Sequence, residues 1–209
     1  MKRIQAGLIA LSLLSGIAFG QAERFQLSLY GGMNRVLAYG SNKDYLQGIN
    51  DFPAIPAHTP VLFGAAFAFS LTERLGLELR GEYAPAADMT LIDPSDQDAV
   101  TIPSGKHMSF SLNALWALGS GRFEPYLVAG GGIDKLSAKT TNAVTAHGYE
   151  VTFSPPARTL DFFINAGVGA RWKFSSSLGL FLEARYRYLF ANPNAIQSIA
   201  GGVGLRWKF

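Results

Sequence analysis

Residues 161–174 read Asp-Phe-Phe-Ile-Asn-Ala-Gly-Val-Gly-Ala-Arg-Trp-Lys-Phe. Phe162, Ile164, Ala166, Val168, Ala170, Trp172 and Phe174 fall on one parity, and Asp161, Asn165, Gly167, Gly169, Arg171 and Lys173 on the other. Successive side chains of an extended strand point to opposite faces, so this spacing makes one oily face and one face of mostly small or ionic groups. The last eight residues, Gly167 to Phe174, recur as Gly202 to Phe209 with one change, Ala170 against Leu205. The interval between the copies holds one turn, one strand, one loop and one strand. The repeat therefore ends two strands that run the same way, and two copies are too few for a solenoid.

The same alternation appears upstream and downstream. Within Val61–Leu71, the residues Phe63, Ala65, Phe67, Phe69 and Leu71 oppose Gly64, Ala66, Ala68 and Ser70. Within Leu75–Tyr83, Leu75, Leu77, Leu79 and Tyr83 oppose Gly76, Glu78, Arg80 and Glu82. Met108, Phe110, Leu112, Ala114, Trp116 and Leu118 share a face of Met108–Leu118. Leu178, Leu180, Leu182, Ala184, Tyr186 and Tyr188 oppose Gly179, Glu183, Arg185 and Arg187, and Ile199, Val203, Leu205, Trp207 and Phe209 oppose Ala200, Gly202, Gly204, Arg206 and Lys208. Less regular strands near Arg24–Tyr39 and Phe123–Leu136 bring the number to eight. Short turns at Thr72–Arg74, Gly119–Gly121 and Ser175–Ser177 alternate with long polar connections near Gly40–Pro60, Pro85–Lys106, Ser137–Thr159 and Leu189–Gln197. Long-short alternation around an even number of strands predicts an all-β, eight-stranded, antiparallel up-and-down barrel. In membrane barrels of this kind the short turns face the periplasm and the long loops face outward.

Composition agrees. Of the 209 residues 48% are hydrophobic and 16% charged, which excludes a disordered chain. With no cysteine, disulfides, thiolate-ligated metals and cysteine nucleophiles are excluded. Lys2 and Arg3 supply two of the net +3 charges, which leaves no argument for nucleic-acid binding. Those two residues head an uncharged apolar run, Ala6 to Phe19, that closes on Ala18-Phe19-Gly20. This is the pattern of a secretory signal peptide, residues 1–20, cleaved near Gly20 and followed by a barrel domain over 21–209. The longest later stretch without a charge, Phe52 to Thr72, carries Pro53, Pro56 and Pro60 and cannot form one helix.

Volume decides which face turns inward. The interior of an eight-stranded barrel is just wide enough for side chains to fill. The Leu, Phe, Trp, Val and Tyr of the apolar faces are too bulky for it; the Gly, Ala and Ser of the opposite faces fit. The charges on that second face are of both signs: Glu78, Glu82, Asp161 and Glu183 against Arg80, Arg171, Lys173, Arg185, Arg187, Arg206 and Lys208. They are expected to form a lumen ionic network, since an unpaired buried charge costs several kcal/mol. The alternative is a soluble barrel with this face in water. Trp116, Trp172 and Trp207 each precede by two residues the last apolar residue of a strand (Leu118, Phe174 and Phe209), and Phe69 stands likewise before Leu71. Aromatics at one height form the girdle of a membrane barrel. Tyr83, Tyr186 and Tyr188 are expected near the opposite rim.

The octapeptide closing on Phe209, with Val203, Leu205 and Trp207 on its apolar parity, resembles the C-terminal signature of bacterial outer-membrane proteins that the barrel-assembly machinery recognises. Phe123-Glu-Pro-Tyr126, leading to Ala129-Gly-Gly-Gly132, is similar to a strand of small eight-stranded barrels of the OmpA/OmpX type. The resemblance covers Arg24 to Phe209. It implies a monomer in the outer membrane, in contact with its lipid and lipopolysaccharide, and without a cofactor.

Possible chemistry is sparse. His107-Met-Ser109 is similar to the His-x-Ser of lipid A deacylases, barrels with a Ser-His-Glu triad, and Glu124 is the nearest downstream carboxylate. A serine nucleophile needs a base within about 3 Å and the base needs an orienting carboxylate. The sequence departs from that family, which has asparagine after the serine where this chain has Phe110, and acts on its lipid-facing side, whereas His107 and Ser109 fall on the inward parity. Asp93, Asp96 and Asp98 lack the glycine and bidentate glutamate of a calcium loop. His58, His107 and His147 give no zinc spacing, and Gly130–Gly132 lack the lysine of a phosphate loop. The expected role is a barrel with a plugged polar interior that displays four surface loops to an unidentified extracellular ligand. A lipid-modifying enzyme and a narrow pore are the alternatives.

Overall fold

The computed structural model describes residues 24–39, 60–86, 88–92, 99–103, 105–137, 141–144, 148, 150–153, 160–191 and 195–209. The segment expected to be a signal peptide, Asp93, Asp96, Asp98, His58 and His147 lie outside them. Twelve strands are present: β1 Phe25–Tyr39, β2 Val61–Ser70, β3 Leu75–Ala84, β4 Asp88–Ile92, β5 Ala99–Pro103, β6 Lys106–Ala117, β7 Phe123–Ser137, β8 Thr141–Val144, β9 Glu150–Phe153, β10 Leu160–Lys173, β11 Leu178–Leu189 and β12 Ile196–Lys208. Eight of them close a barrel in the order β1-β12-β11-β10-β7-β6-β3-β2. Every neighbour pair is antiparallel, as the sequence predicts. The barrel strands run for 10 to 15 residues, enough to cross a bilayer with the usual tilt, which takes ~9–11. No helix among the described residues is long and apolar enough to do so.

Two of the connections expected to be plain polar loops contain hairpins, β4–β5 and β8–β9. Their strands are only 4 to 5 residues long, too short for periodicity to announce them. The short turns are tied locally. Thr72 Oγ1 accepts from the Leu75 N–H at 2.9 Å, and Ser175 Oγ from the Leu178 N–H at 3.0 Å. In the β6–β7 turn Gly121 has φ 132°, a conformation closed to most side chains.

Exposure inverts the pattern of a soluble protein. Leu182 is 61% exposed, Phe162 62% and Trp116 58%, while Arg185 is 2% and Asn113 1% exposed. The inward face is not made of small and ionic residues alone, however. Phe163, Phe181, Tyr30, Tyr126, Leu62, Leu115 and Val128 are also buried there. Glycines on neighbouring strands make room for the tyrosines: an added Cβ on Gly64 would lie 2.2 Å from the Tyr30 ring, and one on Gly169 2.3 Å from the Tyr126 ring. Gly169→Val should therefore displace Tyr126 and cost roughly 1–3 kcal/mol, the range for overpacking. Urea unfolding in detergent micelles measures it, with the midpoint expected to fall.

Candidate functional site: an ionic ring across the lumen

β3 and β11 lie four strands apart whichever way the barrel is followed, so they face each other across the lumen. Each presents three charged groups at alternate positions: Glu78, Arg80 and Glu82 from β3, and Glu183, Arg185 and Arg187 from β11. On a strand such residues share one face. The facing sets close a ring of alternating charge. Arg80 Nε meets Glu78 Oε1 at 3.0 Å, Arg80 Nη1 meets Glu183 Oε1 at 2.8 Å, Arg185 Nε meets Glu183 Oε1 at 2.5 Å, and Arg185 Nη2 meets Glu78 Oε1 at 2.7 Å. A third bridge between β3 and β11, Arg187 to Glu82, lies alongside the ring. Three carboxylates thus balance three guanidinium groups on two opposite walls.

Neutral donors complete the carboxylates. Tyr30 donates to Glu82 at 2.6 Å, Ser109 to Glu82 at 3.2 Å, Tyr126 to Glu183 at 2.8 Å and Asn113 to Glu78 at 3.2 Å. Asn165 donates to Asn113 at 3.0 Å and extends the network to β10. Arg80 also stacks on the Tyr30 ring, 4.5 Å from its centre, and Arg187 on Phe163 at 5.1 Å. The cavity beside these groups, lined by Tyr30, Arg80, Glu82, Phe181, Glu183 and Arg185 among others, has a volume of about 10 Å³. That is room for a single water.

The charged residues expected to form one network fall into separate groups. Arg171 and Lys173 leave the central ring and share Glu124 near the short-turn end, each at 2.8 Å. Arg206 faces the same end, and its side chain makes no hydrogen bond or ion pair among the described residues. Asp161 is half-buried near the other end, across from Asp134 in the β7–β10 register.

The catalytic candidates do not assemble. His107 Nδ1 is 2.8 Å from Asp134 Oδ2, and the Ser109 hydroxyl is given to Glu82. Glu124 sits ten positions before Asp134 on β7 and is occupied by Arg171 and Lys173. Sequence reading missed Tyr30, Asn113, Tyr126, Asp134 and Asn165 as members of the lumen network. Asn113 was visible on the inward parity between Leu112 and Ala114; a partner across the barrel has no sequence signal. The aromatics do lie on the outer wall. Trp116, Trp172, Trp207 and Phe69 are each the penultimate residue of their strands. Phe174, Phe209, Tyr83 and Tyr186 are exposed, and Tyr188 is half-buried against Phe190.

Solved structures with this architecture include barrels of bacterial outer membranes. Neisserial surface protein A matches with a TM-score of 0.57 at 12% identity, over 88% of this chain and 97% of that one. The N-terminal β-barrel domain of Pseudomonas aeruginosa OprF matches with a TM-score of 0.53 at 14% identity, over 90% and 100%. The chain has an OmpA/OmpX-like barrel fold. Pseudomonas aeruginosa OprG also shares the barrel, with a TM-score of 0.52 at 11% identity, over 90% and 97%. No family model and no curated protein matches the sequence.

Within this barrel the ring is expected to be the most sensitive element. Arg185→Met leaves Glu78 and Glu183 with fewer counter-charges in a buried site, and should cost about 3–5 kcal/mol. Arg74→Met at the exposed rim should change stability by less than about 0.5 kcal/mol. Unfolding of both variants in micelles reads the difference.

Proposed function

We propose that the protein is an integral outer-membrane barrel with a structural and surface-interaction role, its interior plugged by the ionic ring. The single observation that carries this reading is the radial inversion, with Arg185 and Glu183 sealed inside while Leu182 and Ala184 between and beside them point outward. A wall so apolar belongs in lipid, where no water is available for exposed charges. The outward Trp and Phe at the strand ends serve as an interfacial girdle, with Tyr83, Tyr186 and Tyr188 toward the other rim. Val203, Leu205, Trp207 and Phe209 lie on the outer side of β12 or just beyond its end, accessible to the assembly machinery before β12 closes on β1.

In this role the protein works as a monomer among outer-membrane lipids and lipopolysaccharide, exported with the help of residues 1–20. The short turns face the periplasm, and the four long connections, over 40–60, 85–105, 138–159 and 190–195, face outward to meet an extracellular ligand. The ring spanning the lumen and the water-sized cavity beside it favour a plug over a pore.

Gel mobility of unheated and boiled protein from purified outer membranes tests the proposal. The folded barrel should migrate differently from the boiled chain, and unchanged migration of protein found in the soluble periplasm would overturn it. Leu182→Arg sharpens the test: on a lipid-facing wall near mid-strand it should cost roughly 2–4 kcal/mol, whereas on a wall in water it should be nearly neutral.

The enzyme alternative requires Ser109 to reach a base, and its hydroxyl is instead committed to Glu82. Ser109→Ala should leave the acylation pattern of lipid A unchanged in mass spectra of cells expressing the protein. A lost acyl chain that returns in the variant would restore the enzyme reading.

A further inference from the structure

The lumen charges are unevenly distributed. In the central belt Glu78, Glu82 and Glu183 match Arg80, Arg185 and Arg187. At the short-turn end, the inward parity of β10 carries Arg171 and Lys173 and that of β12 carries Arg206, near one acidic side chain of β7, Glu124. Arg24, Arg74 and Arg122 stand on the same rim, where Glu73 is the other acid among the described residues.

Both oxygens of Glu124 are engaged. Its Oε1 is held by Arg171 and its Oε2 by Lys173, both at 2.8 Å. The Arg206 side chain makes no ion pair with Glu124 at bonding distance. The register sets Arg206 and Lys173 on either side of the same β11 residue, Gly179, which has no side chain to separate them. Lys208 follows on the same face as Arg206, opposite Gln26 of β1. Several cations are thus held at one mouth by strands that cannot move apart without breaking the barrel, and their repulsion is strongest where the apolar wall excludes water. Elsewhere in this lumen every arginine has its carboxylate.

We propose that this mouth is a binding site for a free multivalent oxyanion of the phosphate class. Arg206 supplies the open guanidinium fork, whose donors match two oxygens of a phosphate group, and Lys208, Lys173 and Arg171 supply the surrounding charge. The inward direction of these side chains sets a soluble anion entering the lumen above a phospholipid headgroup, which lies outside the wall. That the mouth opens to the periplasm rests on the orientation given under the proposed function; the site itself does not.

The test uses the full protein purified in neutral detergent. Calorimetric titration with pyrophosphate at low salt should give saturable binding at one site, weakened by added salt. Arg206→Gln, which breaks no side-chain hydrogen bond or ion pair among the described residues, should weaken it at least about tenfold, the effect of losing one charged hydrogen bond. Its heat-dependent gel mobility should stay intact. Lys208→Gln should weaken binding as well, and Lys106→Gln at the opposite rim should not. Absence of saturable binding, parental affinity in Arg206→Gln, or equal weakening by Lys106→Gln would each overturn the proposal. Repeating the titration in phosphatidylcholine vesicles with and without phosphatidylglycerol separates the sources. Equal pyrophosphate affinity in both supports a free ligand, and Arg206-dependent competition by the anionic lipid would assign the site to a headgroup instead. A barrel that binds the anion but shows no heat-dependent mobility would refute the membrane reading and leave this one standing.

Discussion

A charge in a low-dielectric interior must be paired, and the lumen of this barrel follows from that constraint. The ring Glu78–Arg80–Glu183–Arg185 joins two strands on opposite walls, and each carboxylate and guanidinium in it has partners of the other sign. Desolvating such groups is costly, and an alternating ring offsets that cost better than isolated pairs, because every group is stabilised from two sides. Tyr30, Tyr126 and Asn113 fill lone pairs that the arginines leave open.

The ring also explains where the glycines and tyrosines go. The arginines and tyrosines that complete it are long, and the interior of an eight-stranded barrel is narrow. Tyr30 lies over Gly64 and Tyr126 over Gly169, so each large polar ring has a bare stretch of backbone on the neighbouring strand. Packing and electrostatics are therefore one arrangement: the hydroxyls reach the carboxylates because glycine leaves them a path. The outward side carries no such requirement. Leucine, phenylalanine and valine there need only fit lipid, and for them the alternation of each strand is enough.

Pairing holds in the middle of the lumen and lapses toward the short turns, where one glutamate bonds Arg171 and Lys173 and the Arg206 side chain makes no ion pair among the described residues. The same contrast separates a filled plug from a mouth with spare donors. The outer wall and the ring support a membrane barrel that is closed at its centre; the charge at its mouth is what gives a small anion a reason to enter.

The number of barrel strands, their bounds to within a few residues, the antiparallel order and the outward face were all readable from chain periodicity. They depend on residues one or two positions apart, as in Leu178–Tyr188, and the oily parity can only turn outward because it is too large to turn in. The hairpins β4–β5 and β8–β9 were not readable, since four or five residues carry too little period. Phe163 and Phe181 keep the inward parity but not its expected small or ionic character, and they pack there against Arg187 and Tyr30. Inward charges were legible as a set, but not their pairing. That Glu78 meets Arg185, that Glu124 holds Arg171 rather than orienting His107, and that Arg206 is left over depend on which strands closure brings face to face. Sequence by itself determined the pattern along each strand, because side-chain direction is local; the tertiary structure decided the partners, because residues 107 positions apart meet only when the sheet has closed.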